Sequence, residues 1–509
     1  MYRKYFNSIS LVILKNLVRL YFFSHFFVIS FGEENKTQFK ELDRWFDIYL
    51  KDSKVGYAHS TMKFFKDTVV SESVFNVTFN RNGSPVRMNS CEKTEESKNG
   101  TIISFSSLSE MGGVPILKSG RIKDNQIIIK EKQLSTESIK KYPLDQAGKM
   151  TWGVLKTLRK KNFKTNGNLF NLKVYSPDFG MSSPTSAQVR TFGKRNLKIN
   201  NNNFVTYKTE ISLFNSVGKV KSINFLDENG FTVKSTIQLG GLPVEIIQST
   251  EQKAKKNIDS LDLLLGTIFD LRSPIPSNTI SIKFNLKFVN GKYQKPIFHS
   301  GNQIVQKIND HEYIIQVSAL PWAKIGQSNH SLSTVEPEFS ESSLLLNSDS
   351  TIIKSLARQA GQGSKNIFEL SEKLCLFTNS YIRNKNYRIG FASATEVAMS
   401  REGDCTEHAV LLAALGRAMG IPTRIATGLV FLENFENSSN VMGFHMWTEF
   451  HLRGKWISFD ATLKKLGTHA DRITLSVSSL KENEIPEISY IISKFVNGLE
   501  ISIDSLETY

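Results

Sequence analysis

Arg401-Glu402-Gly403-Asp404-Cys405-Thr406-Glu407-His408, with the apolar run that follows it to Ile421-Pro422, is the stretch on which the reading of this 509-residue chain turns. Asp404 has the chemistry of a helix N-cap, and Glu407, three residues on, completes a capping box. Ala409, Leu411, Leu412, Leu415, Ala418 and Met419 then give a broad apolar surface, and Gly420 with Pro422 beyond it ends the helix. Cys405 is thus the first residue of a buried helix. Orphan backbone N–H groups and the positive end of the helix dipole both favour its thiolate there, which makes Cys405 a candidate nucleophile.

The partners of such a cysteine lie further on. Phe444-His445-Met446-Trp447-Thr448-Glu449-Phe450-His451-Leu452 alternates as a strand, and Lys455-Trp456-Ile457-Ser458-Phe459-Asp460-Ala461-Thr462 reads as its return strand. A two-residue loop at Arg453-Gly454 sets Leu452 opposite Lys455, Trp447 opposite Asp460, and His445 diagonal to Asp460. Diagonal neighbours across a ribbon are within side-chain reach. In this register one face holds His445, Trp447, Glu449, His451, Trp456, Ser458 and Asp460. The other is apolar apart from Thr448 and Lys455. A three-residue loop would move Asp460 to the apolar face, so the division of residues selects the shorter one.

Gly403-Asp404-Cys405, Arg417-Ala418-Met419-Gly420-Ile421-Pro422-Thr423-Arg424, His445-Met446-Trp447-Thr448-Glu449 and Trp456-Ile457-Ser458-Phe459-Asp460-Ala461-Thr462 together resemble the bacterial branch of the transglutaminase-like superfamily. The resemblance spans the stretch from Thr351 to Leu480. It implies a papain-like α+β core with Cys405 as nucleophile, His445 as general base and acid, and Asp460 as the group that fixes the imidazole. It also implies acyl transfer at an amide carbonyl of a protein or peptide substrate. Water as the second acceptor makes such an enzyme a peptidase or amidase, and a lysine-type amine makes it a crosslinking acyltransferase. The sequence leaves both open. The rival reading is a non-catalytic β-rich envelope adaptor that keeps the fold as a relic.

Neighbouring residues have less to say. His408 lies three residues after Cys405 and is either a rival base or, by preference, a packing and hydrogen-bonding residue. Trp447 and Trp456 are expected to wall a substrate cleft, with core burial as the alternative. Glu449 and His451 share the polar face, where structural hydrogen bonding is the default. No metal or cofactor is expected: the chain has no paired cysteines, no His-x-x-x-His and no Asp-x-Asp-x-Asp-Gly loop.

Composition bounds the rest. Hydrophobic residues make up 40% and charged ones 22%, which fits a globular chain of several domains. The net charge of +16 is spread as scattered lysines with no dense arginine–aromatic block, which argues against nucleic acid and allows weak attraction to anionic envelope polymers or membrane surfaces. Residues 1–32 read as a signal peptide. Arg3 and Lys4 precede the apolar run Leu20–Phe31, and Ser30 and Gly32 stand at −3 and −1 of a cleavage point. An uncleaved membrane anchor is the alternative, and in either case the protein is expected to be exported, periplasmic or extracellular. With only Cys91, Cys375 and Cys405, it cannot rest on a disulfide framework.

The expected order is a β-rich domain over 33–256, a small β domain over 257–326, a polar linker over 327–350 and the catalytic domain over 351–509. In the first, strands such as Trp45–Leu50, Ser73–Asn80, Thr101–Ser107, Gln126–Lys132 and Phe204–Phe214 alternate with turns, suggesting a curved sheet or half-barrel with helices near Asp145–Arg159 and Ser249–Lys256. The second reads as a small sandwich. In the catalytic domain, Glu433–Gly443 reads as a polar loop before the His445 strand, and the tail as a helix near Ile488–Phe495 and a strand at Leu499–Ile503.

Overall fold

The computed structural model describes residues 41–509 apart from 51, 82–83, 112–113, 134–135, 178–179, 200–201, 216–217, 240–241, 257, 259–267, 290–296, 323–334, 386–391, 436–437 and 482–497. The signal peptide expected over residues 1–32 and the tail helix expected near Ile488–Phe495 fall outside these residues. The chain divides into two compact units with their boundary at Leu261/Asp262.

The first unit is built on one fifteen-stranded sheet. Eight strands from Leu42–Leu50 to Thr136–Pro143 follow one another as antiparallel neighbours. Six more, from Asn166–Ser176 to Leu242–Ser249, do the same. The halves meet where Leu42–Leu50 pairs with Leu242–Ser249, Trp45 opposite Ser249 and Leu50 opposite Val244. Period-two burial marks the inner face, as at Ile127 and Ile129. The strands least visible in sequence are polar on that face too: Ser84–Ser97 buries Ser90, Glu92, Thr94 and Glu96.

The helix Thr151–Lys160 covers part of the sheet. Its Trp152 and Leu155 pack with Leu42, Met62, Val69 and Phe231. Its N-cap, Met150, offers no side-chain acceptor, and its first turn holds no acid. Glu96, from a distant strand, fills both roles by accepting from the N–H groups of Trp152 at 2.6 Å and Gly153 at 2.9 Å.

The second unit holds two sheets and four α-helices among the described residues. Thr279–Phe288, Gln303–Asn309 and Glu312–Ser318 form a four-stranded antiparallel sheet whose remaining edge is Leu499–Thr508, paired with Thr279–Phe288. These residues therefore make a single sheet completed by Leu499–Thr508, where the sequence suggested a small sandwich. Gln303 joins this sheet to the next: its side chain donates to Thr474 O at 2.7 Å and accepts from Thr474 N–H at 2.8 Å.

The seven-stranded sheet runs in the order Leu320–Pro321, Lys465–Thr468, Lys455–Asp460, Ser438–Leu452, Thr423–Phe435, Arg472–Ser478, with Ile268–Asp270 added beside Ser438–Leu452. The helix Cys405–Ala418 packs on it, anchored where the Thr448 hydroxyl donates to Ala409 O at 2.8 Å. Helices Thr351–Gly361, Ile367–Tyr381 and Ala394–Ser400 complete the layer. The stretch Glu433–Gly443 is not the loop its asparagines and serines suggest. Thr423–Phe435 and Ser438–Leu452 form one long hairpin, with Phe435 opposite Ser438 and Asn434 opposite Ser439. Ile268–Asp270 pairs with Val441–Gly443 on the other side, so ladder hydrogen bonds outweigh a composition poor in strand formers.

Burial pushes the Glu96 carboxyl up to about 7, with the Gly153 and Trp152 N–H groups offsetting it only in part. Its folded value lies above the ordinary 4.5, so the proton-linked stability it confers is full below about pH 4.5 and is lost as the pH rises through 7. The first unit is expected to lose about 3 kcal/mol over that window, and Glu96→Gln, uncharged at every pH, to flatten the dependence. Thermal unfolding of both proteins from pH 4.5 to 8 checks this, and parallel curves would contradict it.

Candidate active site

The nucleophile candidate is placed by its helix cap. Asp404 accepts from Thr406 N–H at 3.0 Å, and Glu407 accepts from Asp404 N–H at 3.0 Å and Ala392 N–H at 3.3 Å. Burial, with the nearby Asp404 charge added to it, raises the Glu407 carboxyl well above its ordinary value. Gly403 leads into this cap at φ 145°, and a Cβ there would lie 2.2 Å from Glu407 Cβ. Cys405 is the first helical residue and fully buried. None of the three cysteines is in a disulfide, and burial drives the Cys375 thiol far up.

The ribbon has the two-residue turn, with both Arg453 (φ 48°) and Gly454 (φ 78°) left-handed. Leu452 faces Lys455, Glu449 faces Ser458 and Thr448 faces Phe459. That register carries His445 to Asp460, whose Oδ2 accepts from Nε2–H at 2.8 Å. Both side chains are almost wholly inaccessible, at 0% and 1%. Asp460 Oδ1 accepts from Leu463 N–H at 3.0 Å, and Arg472 Nη1 stands 3.6 Å from Oδ2. Burial alone would raise the Asp460 carboxyl. The His445 and Arg472 charges and the hydrogen bonds overcome it and hold the carboxyl below the usual carboxylate range. With Nε2 engaged by Asp460, Nδ1 is the ring nitrogen that remains basic in the neutral imidazole. The loop after Asp460 is tied down by Asn379, which donates to Ala461 O at 2.6 Å.

His408 sits on the same helix as Cys405, fully buried. Its Nδ1–H donates to Asp404 O at 2.6 Å, and its Nε2 has no hydrogen-bond partner among the described residues. Burial lowers it to about 4, with Asp460 and His445 near enough to act on it. It is therefore a neutral, helix-bound imidazole at pH 7. Trp447 lies beside His445, ring centroids 6.3 Å apart, and is itself buried. Trp456 is elsewhere. It packs against Phe339, His451 and the Arg424 guanidinium at the turn end of the ribbon, far along the strand from Asp460. Arg424 also pairs with Glu449 at 2.7 Å, so that end of the polar face is structural. Sequence reasoning passed over Arg472. The available signal was an arginine opening an otherwise uncharged strand, Arg472-Ile473-Thr474-Leu475-Ser476-Val477-Ser478. Among the described residues no three His, Cys, Asp or Glu side chains cluster as a metal site.

Residues 354–461 match the family model of the transglutaminase-like superfamily. No curated protein matches the chain. Among solved structures the chain is similar to a candidate cysteine protease from Cytophaga hutchinsonii, at 16% identity over 46% of this chain and 90% of that one, with a TM-score of 0.30. It is also similar to a candidate protease from Parabacteroides distasonis, at 11% identity over 73% of this chain and 69% of that one, with a TM-score of 0.19.

Gly403→Ala is expected to cost about 2 kcal/mol or more, because the new methyl meets Glu407 in a backbone conformation that disfavours side chains. Urea denaturation followed by tryptophan fluorescence measures it, and a change within about 0.5 kcal/mol would refute the close contact.

Proposed function

We propose that this chain, whose residues 354–461 form a transglutaminase-like core, is an exported thiol enzyme that acts on amide bonds of a protein or peptide through an acyl-enzyme at Cys405. One observation carries the reading: a fully buried His445–Asp460 pair in the same core as a cysteine that opens a capped helix. That pair has no evident use in a binding module, and burying it is costly unless its chemistry is needed.

In the proposed cycle His445 Nδ1 takes the thiol proton, and the Cys405 sulfur attacks the amide carbonyl carbon. The C–N bond breaks as the imidazolium returns that proton to the departing amine. Water or a second amine then adds to the thioester carbonyl, gives a proton to Nδ1, and expels the sulfur. Asp460 accepts from Nε2–H throughout and stabilises the imidazolium without itself taking the proton. The Cys405 backbone N–H is a candidate donor to the oxyanion. Support for export comes from the sequence of residues 1–32; among the described residues no helix is long and apolar enough to cross a membrane.

Iodoacetamide labelling at pH 7 is expected to modify Cys405 far faster than Cys375. Both are buried, so Cys375 controls for access. His445→Ala should lower the Cys405 rate by about a hundredfold. Equal rates at the two thiols would favour the adaptor reading. A glutamine-containing peptide incubated with and without excess primary amine then separates the two reaction outcomes by product mass. Cleaved or deamidated product alone, even with amine present, identifies a hydrolase, and an amine adduct identifies an acyltransferase.

A further inference from the structure

Arg472 is 2% exposed and opens the strand that flanks Thr423–Phe435 on the side away from His445. Its guanidinium lies over the Trp447 ring, 5.2 Å from the centroid, while Nη1 stands 3.6 Å from Asp460 Oδ2. Nε is 3.4 Å from Asp471 Oδ1, and Asp471 pairs in turn with Lys465. Nη1 and Nη2 make no hydrogen bond among the described residues. A buried guanidinium with two idle nitrogens is costly if its purpose is to bond. Its charge, by contrast, acts at 3.6 Å without a bond.

The groups around Asp460 come from five elements: His445 from its own ribbon, Arg472 from the flanking strand, Lys465 from the strand on the other side, where it stands opposite Asp460, His408 from the Cys405 helix and Cys375 from Ile367–Tyr381. His408 is neutral at pH 7, and burial keeps Cys375 a thiol. Lys465 is paired with Asp471, so Arg472 is the permanent positive charge set against the Asp460 carboxylate, at 3.6 Å. Its charge adds to the His445 contact in favouring the ionised carboxylate, and the protonation state of Asp460 sets which way the Asp460–His445 hydrogen bond runs. An ionised Asp460 accepts from Nε2–H and leaves the Nδ1 lone pair for the thiol proton. A protonated Asp460 donates to Nε2, moves the ring proton to Nδ1, and leaves no base for the sulfur.

We infer that Arg472 is a positioning residue for the thiol chemistry: from its seat against Asp460 and Trp447 it keeps Asp460 an acceptor and so sets the productive tautomer of His445. This rests on the thiol-enzyme reading above. Asp471, itself paired with Lys465, takes the Nε end of the guanidinium, and the indole that adjoins His445 lies against its face.

The test is the pH profile of iodoacetamide labelling at Cys405, from pH 4 to 9 by mass spectrometry, in the wild type, Arg472→Gln and Arg472→Lys, with melting temperatures alongside. Arg472→Gln is expected to label about tenfold more slowly at pH 7, with the onset of reactivity moved upward by at least about one pH unit. Arg472→Lys, which keeps the charge, should return the onset towards the wild-type position even if it melts lower. Fast wild-type labelling with an unmoved onset in folded Arg472→Gln overturns this inference alone. So does an onset in Arg472→Lys as displaced as in Arg472→Gln. Wild-type labelling equal at Cys405 and Cys375 overturns the thiol-enzyme reading and this inference with it. Should neither variant fold, the 15N spectrum of histidine-labelled wild type decides: an Nε2–H tautomer at His445 supports the inference and an Nδ1–H tautomer overturns it.

Discussion

A carboxylate and an imidazole bonded at 2.8 Å, both out of reach of water, set the terms for everything around them. Ionised Asp460 cannot stay buried without compensation. It receives the His445 N–H, the Leu463 N–H and the nearby Arg472 charge. Each of the three depends on a different part of the fold. The first comes from the register of one hairpin, the second from a loop tied to a helix by Asn379, and the third from a strand on the far side of the sheet, itself joined to a second sheet through Gln303. The site is thereby wired into most of its unit, although only a few side chains take part in it.

The same logic explains why both faces of the ribbon are covered. Phe444, Met446 and Phe450 are buried as apolar residues, as the alternation implies. His445, Trp447, Glu449 and Ser458 are buried too, because Arg424 and Arg472 supply the charges that make a polar face tolerable inside. Alternation identifies the two faces but does not say that both are interior.

Legibility in the sequence follows the range of the interaction involved. The helix cap at Asp404 and Glu407, the two-residue turn at Arg453-Gly454 and the register that brings His445 to Asp460 are local, and residue type and spacing encode them. The hairpin over Glu433–Gly443 was hidden because its strands are held by ladder bonds to Ile268–Asp270 and to each other, which leave no side-chain signature. Arg472 was hidden because its partners lie on other strands. In the first unit the successive hairpins were partly visible as alternating runs, whereas Ser84–Ser97 was not, since after Met88 its inward residues are serine, threonine and glutamate.

The seam between Leu42–Leu50 and Leu242–Ser249 has a bearing on how the first unit comes into being. Every other antiparallel ladder in that sheet joins strands adjacent in the chain, so each hairpin can zip soon after it is made. The opening strand alone must hold half of its backbone groups ready for a partner about two hundred residues later. Until then the growing sheet carries an open edge at its future centre, which makes the seam both the slowest contact to form and the place where a nascent chain is most exposed to pairing with a neighbour.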